Sequence, residues 1–133
     1  MIETESETIA FVLHLRPGAA EEYRRRHAEI WPELLELQCA AGIMRYEIYL
    51  HAPTNLLFAH IKRRSNHSMN DFPKSDVWLR WQQHMSDLIE QSGGIPVRDP
   101  LVCVFNMYNS VAQPENLLYS ISSSTGTEQK NTP

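Results

Sequence analysis

Residues 43–64, IMRYEIYLHAPTNLLFAHIKRR, constrain the fold more than any other stretch. Over 43–50 the side chains alternate. Tyr46, Ile48 and Leu50 fall on one side, and Arg45, Glu47 and Tyr49 on the other. A period of two is that of a strand with unlike faces. HAPTN supplies turn residues, and LLFAHIKRR returns as a second strand over 56–64, so the segment is a β-hairpin.

Each arm of the hairpin has a strand–helix partner. Before it, TIAFVLHL (8–15) reads as a strand, with Phe11, Leu13 and Leu15 alternating against Ala10, Val12 and His14. Pro17 and Gly18 end that strand, and a helix follows from Ala19 to about Ala41, where Gly42 stops it. Pro32 removes a backbone donor inside that helix and crowds the preceding turn, which predicts a kink or a restart near Trp31. After the hairpin, 65–75 is a Ser-, Asn- and Pro-rich loop with room for one helical turn. DVWLRWQQHMSDLIEQ (76–91) is a second helix, capped by Asp76, with Trp78, Trp81, Met85, Leu88 and Ile89 as its apolar stripe. Gly93 and Gly94 end it, and LVCVFNMY (101–108) is a last strand.

The order β-α-β-β-α-β predicts an α+β fold of the ferredoxin-like, split-βαβ kind: a four-stranded antiparallel sheet with two helices on one face. The other face, carrying Val12, Tyr46 and Ile48 or their alternating neighbours, then needs a cover. A second copy packed sheet to sheet is one solution, and enclosure of a ligand is another.

A chain of 133 residues suits one domain, expected over 1–110. From about Asn109 the sequence turns polar, Ser/Thr-rich and aperiodic, so 111–133 reads as a flexible C-terminal tail. The net charge of −4 gives no general attraction to nucleic acid. Arg24, Arg25 and Arg26 are offset by Glu21, Glu22 and Glu29 and read as a solvated helix face. No apolar run approaches a membrane span, and the acidic start MIETESETIA lacks a signal core, so a cytoplasmic protein is expected. Cys39 and Cys103 are expected as buried thiols.

The chemistry concentrates in EEYRRRHAEIWPEL (21–34), where Tyr23, His27 and Trp31 recur every four residues and would share one helix face. Two readings fit His27. It can belong to a core stripe with Ile30, Leu34 and Leu35, satisfied by a backbone carbonyl. It can instead be a general acid/base, since an imidazole exchanges protons near neutral pH. Tyr46 could bury its ring and hydrogen-bond its hydroxyl, or face a ligand. Trp81 could fill the core or offer a flat face to a sugar ring, with the Gln82 amide about 100° further round the helix. The histidines at 14, 27, 51, 60, 67 and 84 are scattered, without HExxH or a tight ligand cluster, so no metal is expected. There is no glycine-rich phosphate loop and no GxSxG elbow either. No cofactor is expected, and proton transfer on a small neutral molecule is the chemistry that remains.

FVLHLRPGAAEEYRRRHAEIWPEL, AGIMRYEIYLHAPTNLLFAHI, VWLRWQQHMSDLI and VFNMY, in this order over about residues 10–108, resemble the L-rhamnose mutarotase family. Its specific core is YRRRHAEIWPEL followed by YEIYL. The resemblance implies a cytoplasmic, homodimeric protein with a ferredoxin-like dimeric α/β barrel. It implies a cofactor-free isomerase interconverting the α and β anomers of L-rhamnose. By resemblance His27 is the proton donor, and Tyr23 and Tyr46 bind the sugar. The family usually has a sugar-binding Trp-Trp pair on the second helix, and this chain has Trp81-Gln82. The family's NPDNSP segment reads EQSGGIPV here. These two departures bear on which sugar is preferred. Two alternatives stay open: a cofactor-free monooxygenase of the same fold, and a sugar-binding module without catalysis.

Overall fold

The structure, a computed structural model, describes residues 5–107. The expected tail, 111–133, lies outside the described residues. The chain divides into two compact units, 1–101 and 102–133. In the second, Val102–Asn106 carry no regular secondary structure.

The first unit holds β1 (Ser6–His14), α1 (Ala20–Ala28), α2 (Pro32–Ala40), β2 (Ile43–His51), β3 (Leu56–Arg64), a 3-10 helix (Met69–Lys74), α3 (Asp76–Met85), β4 (Gln91–Ser92), β5 (Ile95–Pro96) and β6 (Arg98–Leu101). β2, β3, β1 and β6 form one sheet in that order, antiparallel throughout. This is the ferredoxin-like topology.

Cross-strand register sorts the two faces. Phe11 opposes Ala59, and Leu13 opposes Leu57. Tyr46, Ile48 and Leu50 oppose Ile61, Ala59 and Leu57 in turn. Residues directly opposite point to the same side, so all of these share one face. There Phe11, Leu13, Leu57, Ala59 and Ile61 join Tyr23, Leu34, Trp81 and Met85 in the core. Tyr46 and Ile48 therefore turn toward the helices, and of the residues expected on the open face Val12 is there, with Tyr49 and Phe58. A bulge at Met44 sets this phase. Its extra residue lets Ile43 and Tyr46 both face the helices although they are three apart.

The long first helix is two helices. Trp31 has φ −69° and ψ 132°, and Pro32 opens α2 at its first position. A proline excludes the helical region for the residue before it and is favoured at the first helical position, so the chain restarts there. Trp31 is thus not on the α1 face with Tyr23 and His27. α2 ends at Gly42, which takes φ +104°; a Cβ there would come within 3.3 Å of the His67 backbone.

Five further expectations are corrected. The cap of α3 is Ser75, whose hydroxyl accepts from the Trp78 N–H at 3.4 Å, and Asp76 is the first helical residue. The helix stops at Met85 rather than Gln91, because the Ser86 hydroxyl bonds the Gln83 carbonyl at 2.8 Å and Arg26 takes the His84 carbonyl at 2.6 Å. Leu88 and Ile89 continue the apolar stripe without continuing the helix. Gly93 and Gly94, both at positive φ, make the two-residue turn joining β4 to β5. The last strand is Arg98–Leu101 rather than 101–108; it is an edge strand and tolerates Pro100. Both cysteines are free and exposed, not buried.

Candidate active site

A cavity of about 800 Å³ opens between the helices and the sheet. Tyr23, His27, Tyr46, Trp81 and Gln82, the five residues singled out in the sequence, all line it. Three elements bring them together. α1 presents Tyr23 and His27 one turn apart, β2 presents Tyr46 from the sheet, and α3 presents Trp81 and Gln82.

Arg26 fixes the helices against one another. Its guanidinium reaches Asp87, just past the end of α3, at 2.9 Å and the His84 carbonyl in the last turn of α3 at 2.6 Å, while its Nε donates to Glu22 at 2.7 Å. This arginine is not part of a solvated face. It ties α1 to α3, and so holds His27 opposite Trp81.

The His27 ring meets Tyr23 with centroids 4.4 Å apart, and meets Trp81 edge-on at 5.4 Å. Trp31 reaches the same cluster from outside the helix, 5.1 Å from Trp81 and nearly perpendicular to it. His27 Nδ1 lies 3.2 Å from the Tyr23 carbonyl. A carbonyl can only accept, so Nδ1 carries the hydrogen and Nε2 is the acceptor of the neutral ring. Burial lowers the pKa of His27 below 6.5, and the bond to Tyr23 opposes this in part. At neutral pH the ring is uncharged. A carbonyl thus satisfies one nitrogen of His27, and the ring borders the cavity.

Burial raises the Tyr23 phenol well above its ordinary 10.0, and the nearby Tyr46 adds to this. Tyr46 is also raised by burial, with Arg98 opposing. Tyr46 is 37 % exposed as a residue. Both phenols stay protonated across the physiological range. They can hydrogen-bond a ligand but cannot serve as resting-state bases. Among the described residues, no three His, Cys, Asp or Glu side chains are grouped to hold a metal ion.

A family model described as L-rhamnose mutarotase matches residues 8–107. The chain belongs to the L-rhamnose mutarotase family. The L-rhamnose mutarotase of Burkholderia ambifaria is 50 % identical over 100 residues, covering 74 % of this chain and 96 % of that one. The crystal structure of an L-rhamnose mutarotase from Formosa agariphila is 32 % identical, with a TM-score of 0.69 over 76 % of this chain and 98 % of that one. A solved structure from Bordetella bronchiseptica, described as an antibiotic biosynthesis monooxygenase, is 14 % identical with a TM-score of 0.53, covering 74 % and 98 %. That last likeness shows the fold alone. In this member of the mutarotase family the cavity also has residues that sequence reasoning missed, chiefly Arg98, Arg63 and Asn70. Arg98 was hidden because the last strand was expected three residues too late. Placed on β6 opposite Leu13, it points to the cavity side.

Proposed function

We propose that the chain is an isomerase that interconverts the α and β anomers of L-rhamnose. The observation that carries this is His27: an uncharged imidazole on a cavity wall, with Nδ1 committed to a carbonyl and Nε2 left to exchange a proton. Family membership supports the same reading.

Anomer exchange opens the pyranose to its aldehyde and recloses it on the other carbonyl face. Opening needs a proton on the ring oxygen and loss of the proton from the anomeric hydroxyl. We assign His27 as the donor to the ring oxygen. Because the ring rests uncharged, the proton it donates must first be gained. Both oxygens are bonded to the anomeric carbon, so Nε2 takes the hydroxyl proton and returns it to the ring oxygen as the carbon–oxygen bond breaks. Rotation of the aldehyde and the reverse transfer give the other anomer. Tyr23 and Tyr46 hydrogen-bond sugar oxygens as neutral phenols. Trp81 offers an apolar wall to the C–H face of the ring, and Gln82 an amide to a hydroxyl. Saturation-transfer NMR between the two anomers of L-rhamnose tests the reading. Exchange faster than in buffer is expected, whereas binding with no acceleration would leave only a sugar-binding module.

Gln82 is half-buried on the cavity wall. Gln82→Trp should lower KM for L-rhamnose, by the roughly 1–3 kcal/mol of a buried side chain. Equal rate profiles for L-rhamnose, L-fucose, L-lyxose and D-mannose in both forms would show that position 82 does not touch the sugar.

We also propose that two copies pair their open sheet faces. That face exposes Tyr49 (62 %) and Phe58 (36 %) around a shallow hollow of about 400 Å³. The same face carries polar contacts of His14 with Asp99 at 2.7 Å and of His60 with Glu47 at 3.3 Å. Apolar side chains ringed by polar ones are the composition of an interface. Light scattering should give a dimer at micromolar concentration; a mass of 15.4 kDa, that of one chain, would overturn it.

Among the described residues no helix is long and apolar enough to cross a membrane. We place the chain in the cytoplasm, where two free, exposed thiols stay reduced. Recovery of the protein outside the soluble cell fraction would refute this.

A further inference from the structure

The cavity carries one sign of charge. Arg24, Arg63 and Arg98 line it, and among the described residues no aspartate or glutamate does, although the whole chain has a net charge of −4. Arg63 is neutralised, since its guanidinium meets Glu7 at 2.8 Å. Arg98 is not. Among the described residues it makes no ion pair. Its neighbour Asp99 points to the opposite sheet face and is bound to His14 at 2.7 Å.

The position of Arg98 is nonetheless defined. Its guanidinium carbon sits 3.8 Å from the centroid of the Phe11 ring, a cation–π contact on the cavity side of the sheet. Partial burial lowers the pKa of Arg98 from its ordinary value, with Tyr46 opposing this and Arg63 adding to it. Arg98 is exposed on its edge strand, so its guanidinium, held on the Phe11 ring and without a carboxylate among the described residues, is open to a ligand in the cavity. A guanidinium held flat also suits a carboxylate, which it can grip with two parallel hydrogen bonds.

We propose that this cavity accepts hexuronates as well as neutral deoxysugars, with Arg98 as the residue that binds the carboxylate. The proposal rests on the reading of the cavity as a sugar anomer-exchange site. It also fits the chemistry of one binding pose. In a hexuronate the carboxylate hangs from C5, the carbon that bears the methyl group in a 6-deoxyhexose. One ring orientation can therefore present the anomeric carbon to His27 in either sugar.

The matched pair is L-mannuronate and L-mannose, which share the ring configuration of L-rhamnose and differ from each other only in the group on C5. Their dissociation constants for the full chain should be measured by ligand-observed NMR, alongside anomer exchange of L-rhamnose. L-Mannuronate should bind about tenfold more tightly than L-mannose, as expected for hydrogen bonds to a charged group. Arg98→Met should bring the two within about twofold, and Arg98→Lys should keep part of the preference, as a point charge without the fork would. Circular dichroism and Tm report whether each variant is folded, and the lysine form decides if the methionine form is not. Equal affinities in the wild type, or an undiminished preference in the folded variants, would overturn the proposal. If L-rhamnose exchanges but L-mannuronate has no advantage, this inference falls alone. If L-mannuronate binds through Arg98 but L-rhamnose does not exchange, the catalytic reading falls and Arg98 stands as an anion-binding residue.

Discussion

His27→Ala should slow anomer exchange of L-rhamnose by about 10²–10⁴-fold, the usual contribution of a positioned acid/base group. The variant should fold. His27 is half-buried at a cavity wall, and the buried residue on its helix is Tyr23, so the substitution opens no sealed core void. Far-UV circular dichroism should match wild type. The pH profile gives a second readout. Burial lowers the folded pKa of His27 below its unfolded 6.5. If the uncharged ring starts the reaction, kcat/KM should rise as pH climbs through that lowered value and level off above about 6.5. Stability follows the same sign. A depressed folded pKa contributes stability that is fully present above the unfolded value and lost as pH falls through the folded one. Tm should therefore decline with acid in that window in the wild type, and less in His27→Ala. Exchange within a few-fold of wild type, or an unchanged rate inflection in the variant, would remove His27 from the mechanism.

The hairpin was legible because its strands alternate beyond the bulge at Met44 and because one turn joins them. β3 spans 56–64, as read from LLFAHIKRR, since nothing in tertiary packing competes with that pattern. The restart at Pro32 was legible for a local reason too, because proline constrains its own neighbour. What the pattern could not show were contacts made from a distance. The end of α3 is set by the Ser86 hydroxyl and by Arg26, which lies 58 residues earlier than the carbonyl it binds. An apolar stripe running on to Leu88 and Ile89 looks helical in sequence, although Leu88 is buried in a turn and Ile89 in an isolated bridge to Leu15.

The candidate site divides along the same line. Tyr23 and His27 were visible as a helical spacing, and Trp81 as part of a stripe, but their meeting at one cavity depends on Arg26 clamping α1 to α3. Trp31 reaches the cluster although the helix that was expected to carry it is broken. Arg98 had no pattern to announce it: a single cation on a four-residue edge strand, given its meaning by Phe11 and Tyr46 across the sheet.

The largest loss of stability is expected at Trp81. Its side chain is 7 % exposed, belongs to the core, and braces both His27 and Trp31 edge-on. Trp81→Ala should cost about 3–5 kcal/mol, the range for removing a buried aromatic, because the helix and sheet around it can close only part of the hole. Urea unfolding should show a lower midpoint with an unchanged slope, which assigns the loss to the native state. Exchange should also fall, since His27 loses the ring it packs against. That result alone would not separate a brace from a sugar wall. Trp81→Phe does: it keeps an aromatic edge beside His27 and surrenders much of the flat surface that a pyranose would use. Its stability should lie much closer to wild type and its kcat should change little, while KM for L-rhamnose rises several-fold. A KM equal to wild type would mean that Trp81 supports the histidine without touching the sugar. A stability loss below about 1 kcal/mol in Trp81→Ala would mean that the packing between α1 and α3 does not depend on this ring at all.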